Sequence, residues 1–314
     1  MRQRGPLSLL TLGRLWCRVT WWSNSTLGGV MKTILVPLEE SDVLPSILEV
    51  AFIVAKRFGS YIEGLYEQPG LTEVVVAGEG LGVTPPDLVE TFQQQEQERA
   101  VRAHELFETF MKEKGVPFSG GGDPQDHVTA GWVEENIPGR DLVGNRGRLF
   151  DLIVVGRPIR SSATPTMSLL EAALFESGRP ILIAPPEAPT KLAKHVVISW
   201  NGSYETPRCV TFAMPLLQGA EKVTLLQVEE GMVPGPSASD ATIHLRRNGI
   251  KAEALNVEAG RRTAGEAVLE ESERLGADLL VKGAYTRSRI RQMIFGGVTS
   301  HILDAAEIPV LMCH

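Results

Sequence analysis

Residues 278–313 read DLLVKGAYTRSRIRQMIFGGVTSHILDAAEIPVLMC. An apolar run, Leu279, Leu280 and Val281, stops at Gly283, and a basic loop follows. Gly296 and Gly297 then open an apolar-periodic stretch, Val298, Ile302 and Leu303, which ends before Pro309. This pattern predicts a buried parallel strand, a glycine-bounded loop, a helix and a second buried strand. Its chemistry lies at the step Gly296-Gly297-Val298-Thr299. Glycine lets a ligand approach the backbone, and the free N–H groups of a first helical turn hold an anion.

The rest of the chain repeats this unit, so the repeat decides the domain organisation. Residues 32–41, KTILVPLEES, match residues 194–203, KHVVISWNGS, position by position. Each predicts a strand and then a polar turn. An apolar-periodic helix follows in each, over 44–58 and 206–217, ending at Gly59 or Gly219, and then a second strand over 61–66 or 222–228. Late in each copy, DLIVVG at 151–156 parallels DLLVKG at 278–283, and RPILIA at 179–184 parallels IPVLMC at 308–313. The proline-rich PPEAP at 185–189 marks the boundary. The expected organisation is an extra segment at 1–30, a first domain at 31–188 and a second at 189–314. Short apolar strands alternating with helices make the class α/β, as two tandem doubly wound parallel-sheet domains of about five strands each. Any ligand belongs at the carboxyl ends of the strands, where connections diverge. The copies differ in the middle. The first carries a long polar segment at 86–114 with Val89, Phe92, Leu106, Phe107 and Phe110 at helical spacing, whereas the second has only a short helical stretch, 239–247. The longer helix is expected to protrude or to cover the neighbouring copy.

Composition excludes several classes. The chain has 314 residues, 43% hydrophobic and 22% charged, long enough for two domains of about 150 residues each. No run of about 20 uncharged apolar residues predicts a spanning helix. A net charge of −7 argues against nucleic acid as a main partner, because neutralising phosphates needs a basic surface. Cys17, Cys209 and Cys313 are far apart and odd in number, which predicts reduced thiols of a cytoplasmic protein rather than a disulfide framework or metal cluster.

Residues 1–30 carry four arginines, no acidic residue and three of the five tryptophans, Trp16, Trp21 and Trp22. Arg14 interrupts the apolar run and no small-residue cleavage pattern follows, so a secretory signal does not fit. The expectation is that translation begins at Met31, with Leu27-Gly28-Gly29-Val30 decoded from a purine-rich ribosome-binding sequence. The rival readings are an Arg-rich targeting arm and an amphipathic membrane anchor.

The tandem order of elements, the opening strand with its polar turn and the closing glycine element together resemble the universal stress protein (UspA) family, over residues 31–314. The resemblance implies an adenine nucleotide alpha hydrolase-like fold and, in nucleotide-binding members, three contact places. These are an acidic residue after the first strand, a valine at the end of the second, and a G-x2-G-x9-G-(S/T) motif around the phosphates. Carried onto the second copy, the acidic position becomes Asn201, within Trp200-Asn201-Gly202-Ser203, and the valine is Val228. Gly283 stands, Thr286 replaces the second glycine, Gly296 stands, and Gly297 occupies the hydroxyl position with Thr299 two residues later. Arg287 and Arg289 lie in the loop, where a guanidinium could clamp a phosphate. The implied ligand is ATP or a related adenine nucleotide, with Mg2+ when ATP is bound. The implied assembly is an internal pseudo-dimer, with both a compact monomer and a homodimer left open.

The first copy departs further. Its turn reads Leu38-Glu39-Glu40-Ser41, Arg157-Pro158 follows Gly156, and Met167-Ser168 stands where Gly296-Gly297 would. Two carboxylates repel a triphosphate, so no ATP is expected there. Arg261 and Arg262 could reach a phosphate or serve as surface charge. His195 and His301 lack partners at metal-ligand spacing, and residues 120–127, GGGDPQDH, read as a connection. With no Walker loop and no evident general base, a regulatory binding module leads. A weak nucleotide hydrolase and a ligand-free scaffold are the alternatives.

Overall fold

The computed structural model describes residues 31–67, 86–120, 122–123, 125–135, 142–158, 165–284 and 297–314, with the backbone alone for residues 86–89 and 92. Short aliphatic runs form strands because both faces of each are covered, and the periodic stretches between them form the covering helices. In the first half these are β1 (Thr33–Pro37), α1 (Leu44–Phe58), β2 (Tyr61–Glu67), α2 (Pro86–Glu113), β3 (Thr129–Glu135), α3 (Leu142–Gly147), β4 (Leu152–Gly156), α4 (Met167–Glu176) and β5 (Ile181–Ala184). In the second they are β6 (His195–Ser199), α5 (Glu205–Leu217), β7 (Lys222–Val228), α6 (Ala238–Arg247), β8 (Ala252–Val257), α7 (Ala264–Arg274), β9 (Leu279–Gly283), α8 (Gly297–Ala305) and β10 (Val310–Cys313), with a short 3₁₀ turn at Glu229–Gly231.

All ten strands form one sheet in the order β3-β2-β1-β4-β5-β10-β9-β6-β7-β8. Read outward from its centre, each half has the same connectivity. Pairing is parallel within a half, and the halves join where β5 and β10 run antiparallel, Leu182 opposite Leu311. Aspartates at equivalent places, Asp151 half-buried and Asp278 buried, lock the strand starts. Asp151 accepts the N–H groups of Lys32 and Thr33, and Asp278 those of Lys194 and His195. The connections diverge between β1 and β4 in one half and between β6 and β9 in the other, and these are the topological switch points of the sheet.

Two apolar layers cover the sheet, and each runs through both halves. On one face Ile34, Val54, Phe107 and Met111 join Ile198, Leu216 and Leu311. On the other Leu35, Ile153 and Leu174 join Val197, Leu280 and Ile302. The halves are also stitched by Arg57 at the end of α1, whose guanidinium donates to the carbonyls of Leu216 (2.8 Å) and Pro215 (3.3 Å) at the end of α5. A cation there complements the negative helix terminus. The expectation for the long helix needs correcting. α2 lies over β2 and β3 of its own half, with Phe107 and Met111 fully buried and Ala100 and Ala103 packed beside Tyr66 and Trp132. Burying such side chains contributes about 1.5–3 kcal/mol each, which holds the helix flat on the sheet.

Candidate functional site

The first half shows what happens when a helix N-terminus at a switch point is supplied with its own anion. α4 is capped by Thr166, whose hydroxyl accepts the N–H of Leu169 at 3.2 Å. Glu39, from the turn after β1, reaches this terminus and accepts both the Thr166 N–H and its hydroxyl, each at 2.8 Å. Burial raises the Glu39 carboxyl above its ordinary value, against the lowering effect of the two Thr166 bonds. The space beside Gly156 is filled too, since a Cβ there would meet Pro165 at 2.5 Å and Ile47 at 2.8 Å. Glu40, the second carboxylate of the turn, points away to an ion pair with Arg102 on α2. Of the two carboxylates of the turn, one thus occupies the anion position at α4 and the other is held away from it.

The second half has the same frame with different occupants. Asn201 matches Glu39 in the aligned turns, but its side chain folds inward, where Oδ1 accepts from Ser203 N (3.2 Å) and Thr206 Oγ1 (2.9 Å). Trp200 is buried and donates from Nε1 to the Pro236 carbonyl at 2.8 Å. Gly202 adopts a positive φ of 79°, and a Cβ there would lie 2.8 Å from the Val233 carbonyl, so only glycine fits this turn without strain. The segment after the 3₁₀ turn lies directly on it, the Val233 N–H bonding the Asn201 carbonyl at 2.9 Å. Val228, buried at the end of β7, pairs with Val257.

Gly283 ends β9, but its missing Cβ serves the fold. A methyl there would stand 2.5 Å from Thr206 N and 2.6 Å from the Glu205 carbonyl carbon, so the start of α5 occupies that space. α8 is different. It begins at Gly297, exposed, with nothing within 4 Å of the position a Cβ would take among the described residues. Val298 follows, packed beside Gly265 of α7, and Thr299 is buried. Thr286, Arg287, Arg289 and Gly296 lie outside the described residues.

Several features at this switch point were not legible as site features. Lys282, next to Gly283, is buried and donates from Nζ to the Gly283 carbonyl at 3.0 Å. Burial pushes its ammonium pKa down to about 8, with Cys209 and Glu205 opposing. Glu205, in the first turn of α5, is 1% exposed, and neither carboxylate oxygen makes a hydrogen bond of ordinary geometry; it raises the pKa of the neighbouring Tyr204 phenol. No sequence pattern marks Glu205, which lies where α5 is seated on Gly283.

Other candidates resolve plainly. Arg262 is committed to Glu270 (2.9 Å) and to the Glu258 and Ala259 carbonyls, so it is not free to reach a phosphate. His195 bridges the Leu275 carbonyl and the Thr224 hydroxyl, and burial lowers its pKa. No group of three or more metal-ligating side chains occurs among the described residues. A cleft of about 420 Å³ lined by Lys32, Thr33, Tyr61, Ser119 and Gln125 opens at the amino ends of β1 and β2, away from both switch points. No helix among the described residues is long and apolar enough to cross a membrane.

The family model described as the universal stress protein family matches residues 195–314. The universal stress protein Slr1230 of Synechocystis is 25% identical over 296 residues, covering 90% of this chain and 99% of that protein. The stress response protein NhaX of Bacillus subtilis is 34% identical over 47 residues, 15% of this chain and 28% of its own length. Among solved structures, a universal stress protein from Archaeoglobus fulgidus superposes with a TM-score of 0.63 at 17% identity, covering 90% of this chain and 95% of that one. A putative universal stress protein from Pseudomonas aeruginosa superposes at 0.50 and 13% identity, covering 90% and 93%. At these identities the superpositions establish a shared fold.

Proposed function

Because the chain belongs to the universal stress protein family, we propose that it acts in the cytoplasm as a regulatory binding module that takes ATP or a related adenine nucleotide in its second half. Family membership supports the stress-response role. What supports the nucleotide reading is the asymmetry between two matched helix termini. In the first half Glu39 occupies the terminus of α4, whereas its counterpart Asn201 bonds Ser203 and Thr206, and among the described residues nothing lies within 4 Å of the position a Cβ would take at Gly297 of α8. A helix terminus without an internal anion is a favourable seat for a phosphate. Phosphate oxygens would meet the backbone donors of Gly297, Val298 and Thr299, with Val228 and the Asn201 turn toward base and ribose. Magnesium would arrive as the counter-ion of the nucleotide, since the described residues form no metal cluster of their own.

A ligand-free scaffold is the second reading, favoured by one observation: the space beside Gly283 is filled by the start of α5. Calorimetry with ATP and magnesium on the full chain separates the two. The binding module requires saturable heat with one nucleotide per chain. It also requires that Asn201→Glu, which gives the second half the carboxylate that fills the first, weaken binding at least about tenfold while the circular-dichroism melt stays cooperative. Absence of heat in the unaltered chain leaves the scaffold.

A further inference from the structure

The fold brings together two cysteines that are distant in sequence. Cys209 lies on α5 and Cys313 ends β10, and both are enclosed, at 0% and 1% exposure. Each sulfur rests on the backbone of the element that carries the other. The Cys209 thiol points to the Leu311 carbonyl of β10 at 3.5 Å, and the Cys313 thiol to the Glu205 carbonyl of α5 at 3.9 Å. The two thiols are near enough to shift each other's ionisation. Helix α5 is seated against β9 and β10, with its first turn against Gly283.

We propose that Cys209 and Cys313 form an oxidisable dithiol that a hydroperoxide converts to an intramolecular disulfide between α5 and β10. The Cys313 thiolate attacks one peroxide oxygen, the O–O bond breaks, and the alkoxide or hydroxide leaves with a proton. Cys313 becomes a sulfenic acid. The Cys209 sulfur then attacks that sulfur, the S–O bond breaks, and hydroxide leaves with the Cys209 proton as water. Two thiols have lost two electrons and two protons, and the hydroperoxide has become an alcohol (or water) and a second water.

The two sulfurs are not equivalent. The neighbouring Cys209, helped by Arg208, holds the Cys313 thiol below its ordinary value against burial and Glu205, whereas burial pushes Cys209 up. Cys313 is therefore the attacking thiol and Cys209 the resolving one. Because both are enclosed, reaction waits on local opening of α5 and is slower than that of an exposed thiol. Once formed, the bond fixes the start of α5, and through Thr206 the Asn201 turn, to the strand at which the two halves meet.

The test uses the full chain carrying Cys17→Ser, so that only this pair can react. It is treated with hydrogen peroxide under native conditions, then unfolded, alkylated with iodoacetamide and mapped by mass spectrometry. The expected product is a single chain two hydrogens lighter, resistant to alkylation, with Cys209 and Cys313 in one cross-linked peptide that dithiothreitol separates. In the further variant Cys209→Ala, dimedone should trap a sulfenic acid at Cys313; should that variant not fold, the peptide map decides alone. Two alkylatable thiols after treatment, Cys313 sulfinic acid beside a free Cys209, or disulfides between chains would each overturn the proposal.

Discussion

Replacing Glu39 tests whether the first half is closed by hydrogen bonds to a helix terminus or by the negative charge itself. Glu39→Ala removes both bonds at 2.8 Å, leaving the Thr166 N–H and hydroxyl without their acceptor at the start of α4. Hydrogen bonds to a charged group contribute about 1.5–3 kcal/mol each. Part of this is offset, because burial is the largest influence on the carboxyl and raises its pKa. We expect a net loss of about 1–3 kcal/mol. Glu39→Gln keeps an acceptor for the N–H and can accommodate the hydroxyl, while removing the buried charge, so it should unfold within about 1 kcal/mol of the unaltered chain at neutral pH. The sign with pH follows from the raised pKa. The folded state holds this proton more tightly than the unfolded state. The contribution is therefore fully present below the ordinary value of 4.5 and is lost as pH rises through the folded value. The unaltered chain should accordingly gain on Glu39→Gln as pH falls toward that value. Urea titrations at neutral and mildly acidic pH measure both effects, with the Ala variant shifted by roughly 0.5–1 M. If Gln costs as much as Ala at neutral pH, the charge is essential and the reasoning fails.

Gly283→Ala should destabilise the chain by about 1–3 kcal/mol or more, because the new methyl meets backbone atoms of Glu205 and Thr206 that cannot rotate away; a thermal melt unchanged by the substitution would show that α5 yields freely there. Tyr61 and Tyr66 should ionise at about 12, each held up first by burial and then by Glu63 or Glu96 respectively. Their stabilising contribution is fully present below the ordinary value of 10 and is lost as pH rises through about 12. Phenolate absorbance followed alongside unfolding tests this, and early ionisation of both tyrosines in the folded chain would contradict it.

Element types were legible because period and punctuation are local. The strand over 222–228 matches β7, and the helix over 44–58 matches α1 with its left-handed cap at Gly59. Ends slipped by one residue: α5 begins at Glu205 and β2 continues to Glu67. The long polar helix was misplaced because its apolar positions announce burial but not the surface that buries them. Residue spacing likewise marked Gly283 as a glycine of interest yet could not say that α5, rather than a ligand, approaches it.

By itself the sequence determined that two copies of one alternating strand-helix unit follow each other, that each has its switch point after matching turns, and that Glu39 and Asn201 occupy equivalent positions. These follow from hydrophobic period, turn residues and internal matching, all of which act over short stretches of chain. Only the tertiary structure decided that the copies share one sheet through antiparallel β5 and β10, and that Glu39 meets Thr166 while Asn201 meets Thr206. It also decided that Cys209 and Cys313 each rest on the element that carries the other and that Glu205 and Lys282 are buried. Each of these joins residues whose meeting is set by strand order and by which helix lands on which face, and no local pattern in the chain encodes that.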